Sequence, residues 1–540
     1  MANWKLKELR DERRRTFLKM CTVASAAVGI ERSRLLNFLA DEGGSGLAEA
    51  AGATYGRSLI VPCPNGAYAW FNELWPPADV GLKACGNVNV AGLGELGSRS
   101  AYLYTTQLSV AGDRGFQMPG TYRGTYAPGK GVAMPTLPPG VKGWAGGDRP
   151  FFYGPDAPCF DHANGIPKYP VTALMSGKDE THTSYPTSAA ALSGSSTLQA
   201  ALASLGASGS SSIVPVLGID PVKYGRAPGA PDVATVPSAA GMIDLFNSAA
   251  SQFTLAGKFE QEMFETYFKA IIGLRKSSPR SAWAPQIAVT KNAARIIGLN
   301  FASQLTPTID DLSTFGIQEM LDNVAGNANY LASVQRVHLE EFGRVLVVVA
   351  KAFALGLSKT AIVPLPPGGA SDSTFTDPHV TYAGMNDMMR GRNTTKHLGR
   401  AIDGFYKYLS QQVDPESPTE MLDKNTVFVA YGDTPHDPLN GAVNVWSDSM
   451  PDACNWSYVM DPRGNLKNGW FGQCSPVKFG GRNGFGYDPN TGQDNPNKIS
   501  DQMSSFSSTA AVFAVAHGDK NKVAEYGTSA NSIPGLINSK

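Results

Sequence analysis

An excess of either charge is missing. The 540 residues hold 46 Lys+Arg against 46 Asp+Glu. That balance excludes the strongly basic profile of a nucleic-acid binder and the acidic profile of a solvating tail protein. Long apolar runs are missing too, since none reaches the roughly 18–20 residues that a membrane-spanning helix needs. No P-loop, no nucleophile elbow and no G-x-G-x-x-G between strand and helix occurs. Cysteine is scarce, at six residues. None sits in a C-x-x-C or a His/Cys cluster with zinc spacing, which argues against a structural metal. No internal repeat is seen, and charged residues are only 17% of the chain, against roughly 25% in an average soluble domain.

Glycine (58) and proline (37) are abundant, so irregular backbone is expected in quantity. An apolar fraction of 42% suffices for a sizeable core. The length suits several domain-sized units or one large α/β domain with long insertions.

The N-terminus carries the most specific pattern. Arg13-Arg14-Arg15-Thr16-Phe17-Leu18-Lys19 follows a polar, basic leader and precedes a mildly hydrophobic run, Met20 to Ile30. Arg14, Arg15, Phe17, Leu18 and Lys19 match a twin-arginine export signal, and the weak hydrophobicity suits that route better than general secretion. The expectation is a leader over 1–53, engagement of the twin-arginine export machinery, and a periplasmic or cell-surface destination in a bacterium. Ala24-Ser25-Ala26 and Ala51-Gly52-Ala53 both offer a small-x-small cleavage pattern. Loss of 1–53 would leave the mature chain slightly acidic. Among the remaining cysteines, Cys63 with Cys85 and Cys454 with Cys474 are short-range disulfide candidates that leave Cys159 over; five buried thiols are the alternative.

Residues 54–540 are expected to form a single large α/β domain. Strands are predicted at Arg57–Pro62, Ser212–Gly218, Thr360–Leu365 and Lys424–Tyr431, each a compact apolar run. Helical spacing runs through 193–212, 242–275, 283–304 and 315–357, with Gly356 as a C-cap. A further helix over 394–409 places Leu398, Ala401, Ile402, Phe405 and Leu409 on one face and His397, Arg400 and Lys407 towards water. A helix or strand is expected near 501–516. Helices alternating with strands predict a mostly parallel sheet covered by helices on both faces. Residues 63–170 read as an irregular cap or insertion, and 432–497 as a loop-rich insertion.

Ligands of an open α/β sheet collect beyond the carboxyl ends of its strands. The residues there are Asn65, then Asp377 and His379, then Asp433 and His436; His182 lies in another loop. Carboxylate and imidazole together suit a divalent metal such as zinc, manganese or calcium, which would polarise a phosphoryl or sulfuryl oxygen and acidify a bound water. The same Asp-Pro and Pro-His pairs also build plain turns. Asp488 to Asp494 alternates oxygen donors as calcium loops do, without their terminal acidic residue. Trp70, Phe71, Trp75 and the tyrosines that follow could form a stacking surface, or pin down the cap.

These motifs resemble an exported family similar to the alkaline phosphatase/sulfatase superfamily. The resemblance rests on the leader, the strand after it, THTSYP around His182, the D-x-H at 377–379, the helix at 394–409 and the GDTP strand end. It implies an alkaline-phosphatase-like fold and a metal-dependent ester hydrolase site. The departures are specific. The family's late strand ends in Ser-Glu-Phe-Gly-Arg-Thr-Pro where this chain has Val429 to Pro435, so Ala430 replaces Glu and Asp433 replaces Arg. Cys454-Asn455 stands for the family's Asp-His pair, and Asn65 for a metal-binding Asp. Asp377, His379 and His182 match. The expected outcome is a retained fold with altered or lost chemistry and a binding or assembly role in the cell envelope. A working phosphate or sulfate ester hydrolase and a structural, homo- or hetero-oligomer-forming subunit are the alternatives.

Overall fold

The computed structural model describes residues 56–67, 160–161, 166–167, 171–175, 197–207, 212, 214–220, 224–228, 230–250, 301–326, 333–365, 385–417, 419–434, 456–466, 469–471, 473–474, 484–485, 487–488, 493–494, 509–510, 512–519 and 536–538. In chain order the elements begin with strand β1 (Arg57–Ala67) and the short pair β2 (Phe160–Asp161) and β3 (Ile166–Pro167). Next come β4 (Val171–Met175), helix α1 (Leu198–Ala207), β5 (Val214–Ile219), β6 (Val233–Val236) and α2 (Ala239–Ala250). The middle is helical: α3 (Phe301–Leu305), α4 (Ile309–Thr314), α5 (Ile317–Gly326) and α6 (Ser333–Ala354). Then follow β7 (Ser358–Ile362), α7 (Met385–Leu409), β8 (Thr426–Thr434), β9 (Trp456–Met460) and β10 (Gly469–Phe471). Two short antiparallel pairs, 473–474 with 484–485 and 487–488 with 493–494, and helical turns at 509–510 and 512–516 complete it. No described helix is long and apolar enough to cross a membrane.

The strands join in one sheet of order β10-β4-β9-β8-β1-β7-β5-β6. Neighbouring pairs are parallel except those of β9, which runs against both β8 and β4. The fold is therefore α/β with a mostly parallel, mixed sheet. β1 lies inside the sheet between β7 and β8, and such a strand should be apolar on both faces; Leu59, Ile60 and Val61 are all fully buried. Ile60, Val429 and Val459 meet Leu198, Leu202 and Phe513 in one core cluster, so α1 and the 509–516 turns cover one face. Alternation turns Leu59 and Phe428 to the other face, where α6 packs on β7 and carries α7. Phe353 and Phe405 meet edge to face at 6.0 Å in that second layer.

Local signals explain several boundaries. Thr308 caps α4: its hydroxyl accepts the Asp311 N–H at 3.1 Å, while the Asp311 carboxylate accepts the Thr308 N–H at 2.7 Å, a capping box. Helix α6 ends on Gly356 at φ 70°. The Leu357 N–H donates to Ala352 O and the Gly356 N–H to Phe353 O, the pairing that a left-handed glycine permits. The expected continuous helix over 315–357 is two helices, α5 and α6, with 327–332 outside the described residues.

One expectation is overturned. His397 does not face water; it is buried, at 4% exposure. Arg400 is largely covered too and pairs with Glu319 at 3.2 Å, while Lys407 is exposed as expected. The cause is that α7 has neighbours on more than one side, packing on α4, α5 and α6. At Gly404 an added Cβ would stand 2.5 Å from the Phe315 Cα, so the α4–α5 junction lies directly against the helix.

The carboxyl edge of the sheet as a candidate ligand site

Direction along the sheet decides what the edge collects. β1, β4, β7 and β8 all run the same way, so the segments after them leave from one edge. Asn65 and Asp433 lie at the ends of β1 and β8 there, while His182, Asp377, His379 and His436 follow β4, β7 and β8 in sequence, outside the described residues. The chain after β7 stays beside β1 for three more residues, with the Val363 N–H donating to Ile60 O and the Leu365 N–H to Pro62 O, both at 2.9 Å. β9 enters from the same edge, since Trp456 pairs with Met175.

Register adds a specific juxtaposition. Cys63 pairs with Gly432 and Ala67 with Thr434, with the ladder irregular between them. Three residues of β1, Pro64 to Gly66, thus oppose the single residue Asp433 of β8. Asn65 is the middle one. Adjacent strands lie about 4.8 Å apart, so the backbone sets Asn65 and Asp433 on neighbouring chains at the edge. Bulges of this kind recur beside active sites because they re-aim one side chain.

Helix α1 brings its amino end to the same place. Its last turn lies near the opposite edge, where a Cβ on Gly206 would meet Ser58 Oγ and Thr360 Oγ1. Its first turn lies by the carboxyl edge: Tyr431 of β8 donates to Gln199 Oε1 at 3.4 Å. Thr197 caps the helix, accepting from the Ala200 N–H at 3.2 Å and donating to Tyr224 O at 2.6 Å. The Tyr224 hydroxyl in turn donates to Ile219 O. Burial, with Asp220 adding to it, pushes that phenol well above its ordinary range, so Tyr224 stays a neutral donor. The dipole of a helix start favours negative charge, although Thr197, Leu198, Gln199 and Ala200 are buried and Thr197 already takes one of the free N–H groups. The edge thus sets a buried, capped helix start beside the strand-end residues Asn65 and Asp433.

Of the expected site residues, Asn65 and Asp433 are brought to one edge. His182, Asp377, His379 and His436 lie outside the described residues, as do the leader residues Arg14, Arg15, Phe17, Leu18 and Lys19. Cys63 sits on β1 and Cys474 on a two-residue strand, Gln473–Cys474, while Cys85 and Cys454 lie outside. Among the described residues no group of three or more His, Cys, Asp and Glu could hold a metal ion. Thr197, Gln199, Tyr224 and Tyr431 were not singled out from the sequence. A Thr before an apolar run is an N-cap signal, but its place at the edge depends on how α1 crosses the sheet. Comparison with known proteins returns no matching family model, no matching curated protein and no matching solved structure.

Proposed function

We propose that this is an exported phosphatase/sulfatase-type protein that holds an anionic ester or oxyanion at the carboxyl edge of its sheet without hydrolysing it. The observation that carries the reading is the register that sets Asn65, and not a second carboxylate, opposite Asp433. An amide residue can lend a carbonyl oxygen to a ligand but brings no negative charge to balance a divalent cation. The dipole of the buried α1 amino end acts in the same direction, because it favours negative charge. The matching residues Asp377, His379 and His182 are assigned to ligand contact, with any zinc, manganese or calcium bound weakly. The role that follows is binding or assembly in the cell envelope, reached through the twin-arginine machinery.

The test uses the full chain. Calorimetric titration with inorganic phosphate and sulfate should show binding that Asp433→Ala changes. Aryl phosphate and aryl sulfate should not turn over with zinc, manganese or calcium added. Turnover that Asp377→Ala or His379→Ala abolishes would establish a working hydrolase and overturn the reading, as would the absence of any oxyanion binding.

A further inference from the structure

The opposite, amino edge of the sheet holds a different cluster. His517 ends the 512–516 helical turns and is 2% exposed. Its Nε2 lies 2.9 Å from Ser58 Oγ on β1, and its Nδ1 has no hydrogen-bond partner among the described residues. The Phe513 ring, one turn back, stands 4.6 Å away centre to centre. From the elements packed around it, the charges acting on the ring are Arg463, after β9, and Lys359, on β7. Both are cations.

The nearby carboxylates are engaged elsewhere. Asp414 holds Arg57 at 2.6 Å and Asn425 at 3.0 Å, and Glu416 faces Lys359 at 3.4 Å. Asp461 accepts the backbone N–H groups of Arg463, Asn465 and Leu466. Asp519 follows two residues on, but among the described residues the charges that act on the ring are the two cations, so a proton placed on His517 would enter a desolvated pocket beside them. Burial first, then Arg463 and Lys359, push the imidazole down to about 3.

The tail is fastened around this ring. Asn465 Nδ2 donates to Ala516 O at 3.3 Å. Asn538 Nδ2 donates to Gly464 O at 2.9 Å and to Leu466 O at 2.7 Å, and Leu466 bridges to Ile537. Val512, Phe513 and Val515 lie in the apolar cluster with Ile60 and Val429. We infer that residues 509–519 form an acid-operated latch, closed over the sheet while His517 is neutral and released when the ring gains a proton. The sign follows from linkage: the released tail takes up the proton near the ordinary histidine value of about 6.5, the closed one only far below it. Closure is thus complete above that value and weakens progressively as pH falls from it towards the folded value.

Hydrogen exchange followed by mass spectrometry on the full chain, corrected for intrinsic rates, tests this. Between pH 7.5 and 5.0 the protection of 509–519 should fall roughly 30-fold, the ratio that 1.5 pH units below the released value implies. Peptides from 57–62 and 426–431 should keep theirs. His517→Gln retains a nitrogen for Ser58 but cannot titrate, so its 509–519 protection should change less than about threefold. An equal loss in that variant, or loss spread equally over β1 and β8, would overturn the latch. Should the variant fail to fold, deuterium exchange at the His517 ring C2 in the unaltered protein decides. A ring that titrates near 6.5 with the tail still protected overturns it, and one that stays neutral through pH 5 while the tail is closed upholds it.

Discussion

Asp414→Ala is expected to be among the most damaging single changes in the domain. Arg57 and Asp414 are 1% and 4% exposed and 2.6 Å apart, so neither charge has water to fall back on. Asp414 also accepts the Glu416 N–H at 2.9 Å and the Asn425 amide at 3.0 Å. Removing one partner of a buried pair leaves the other charge uncompensated, which costs about 3–5 kcal/mol. Each of the two lost hydrogen bonds adds about 1 kcal/mol. The variant should therefore lose about 5–7 kcal/mol, a large part of the roughly 5–15 kcal/mol that holds a typical domain. Urea unfolding followed by tryptophan fluorescence reads this as a lower midpoint. The paired change Arg57→Met with Asp414→Leu removes both charges together, so it should cost only about 2 kcal/mol, the worth of the two remaining bonds. A loss under about 1 kcal/mol for Asp414→Ala, or a double variant as damaged as the sum of the singles, would refute the assignment of a dry, paired charge at this place.

Two further outcomes are expected. In Gly206→Ala the new Cβ would stand 2.5 Å from Ser58 Oγ and 2.7 Å from Thr360 Oγ1. Overpacking of this kind costs about 1–3 kcal/mol, measurable as a lower thermal midpoint; the displaced Ser58 should also reduce protection at 512–517. Thr308→Ala removes a cap and should cost about 1 kcal/mol, seen in the same melt, while Thr308→Ser should recover most of it.

Much of the central sheet was legible because its strands are dense apolar runs. Arg57–Pro62, Ser212–Gly218 and Lys424–Tyr431 each match a strand to within a few residues, and the Gly356 cap stands where expected. Four sheet strands were not, among them the four-residue edge strand Val233–Val236. This strand and Val171–Met175, Trp456–Met460 and Gly469–Phe471 are five residues or fewer and lie beside glycine- and proline-rich sequence, so pairing with neighbours makes them strands and local pattern does not. β9 is antiparallel, which no periodicity can announce. His397 was misplaced for a related reason: a helical wheel finds the most apolar face but cannot see a second neighbour, and the close approach at Gly404 comes from tertiary packing. At the candidate site, the chain positions of Asn65 and Asp433 could be proposed from strand ends. Their register could not, nor could the crossing of α1 that brings Thr197 to the same edge. His517 carried no motif at all, because its chemistry comes from burial and, after that, from the cations around it.

The position of β1 in the sheet has a consequence for how the chain acquires its shape. Arg57 finds Asp414 357 residues later, and Ser58 finds His517 459 residues later. An early strand that waits for late partners gives a high contact order, and loops of that length must close before the pairing is rewarded. While the ribosome makes the first four hundred residues, β1 has neither β8 to pair with nor the tail to cover it. Its run of Leu59, Ile60 and Val61 is then an open invitation to other chains. Folding of the sheet is thereby deferred until synthesis is nearly complete, and the burden of keeping that strand soluble falls on chaperones for most of the chain's early life.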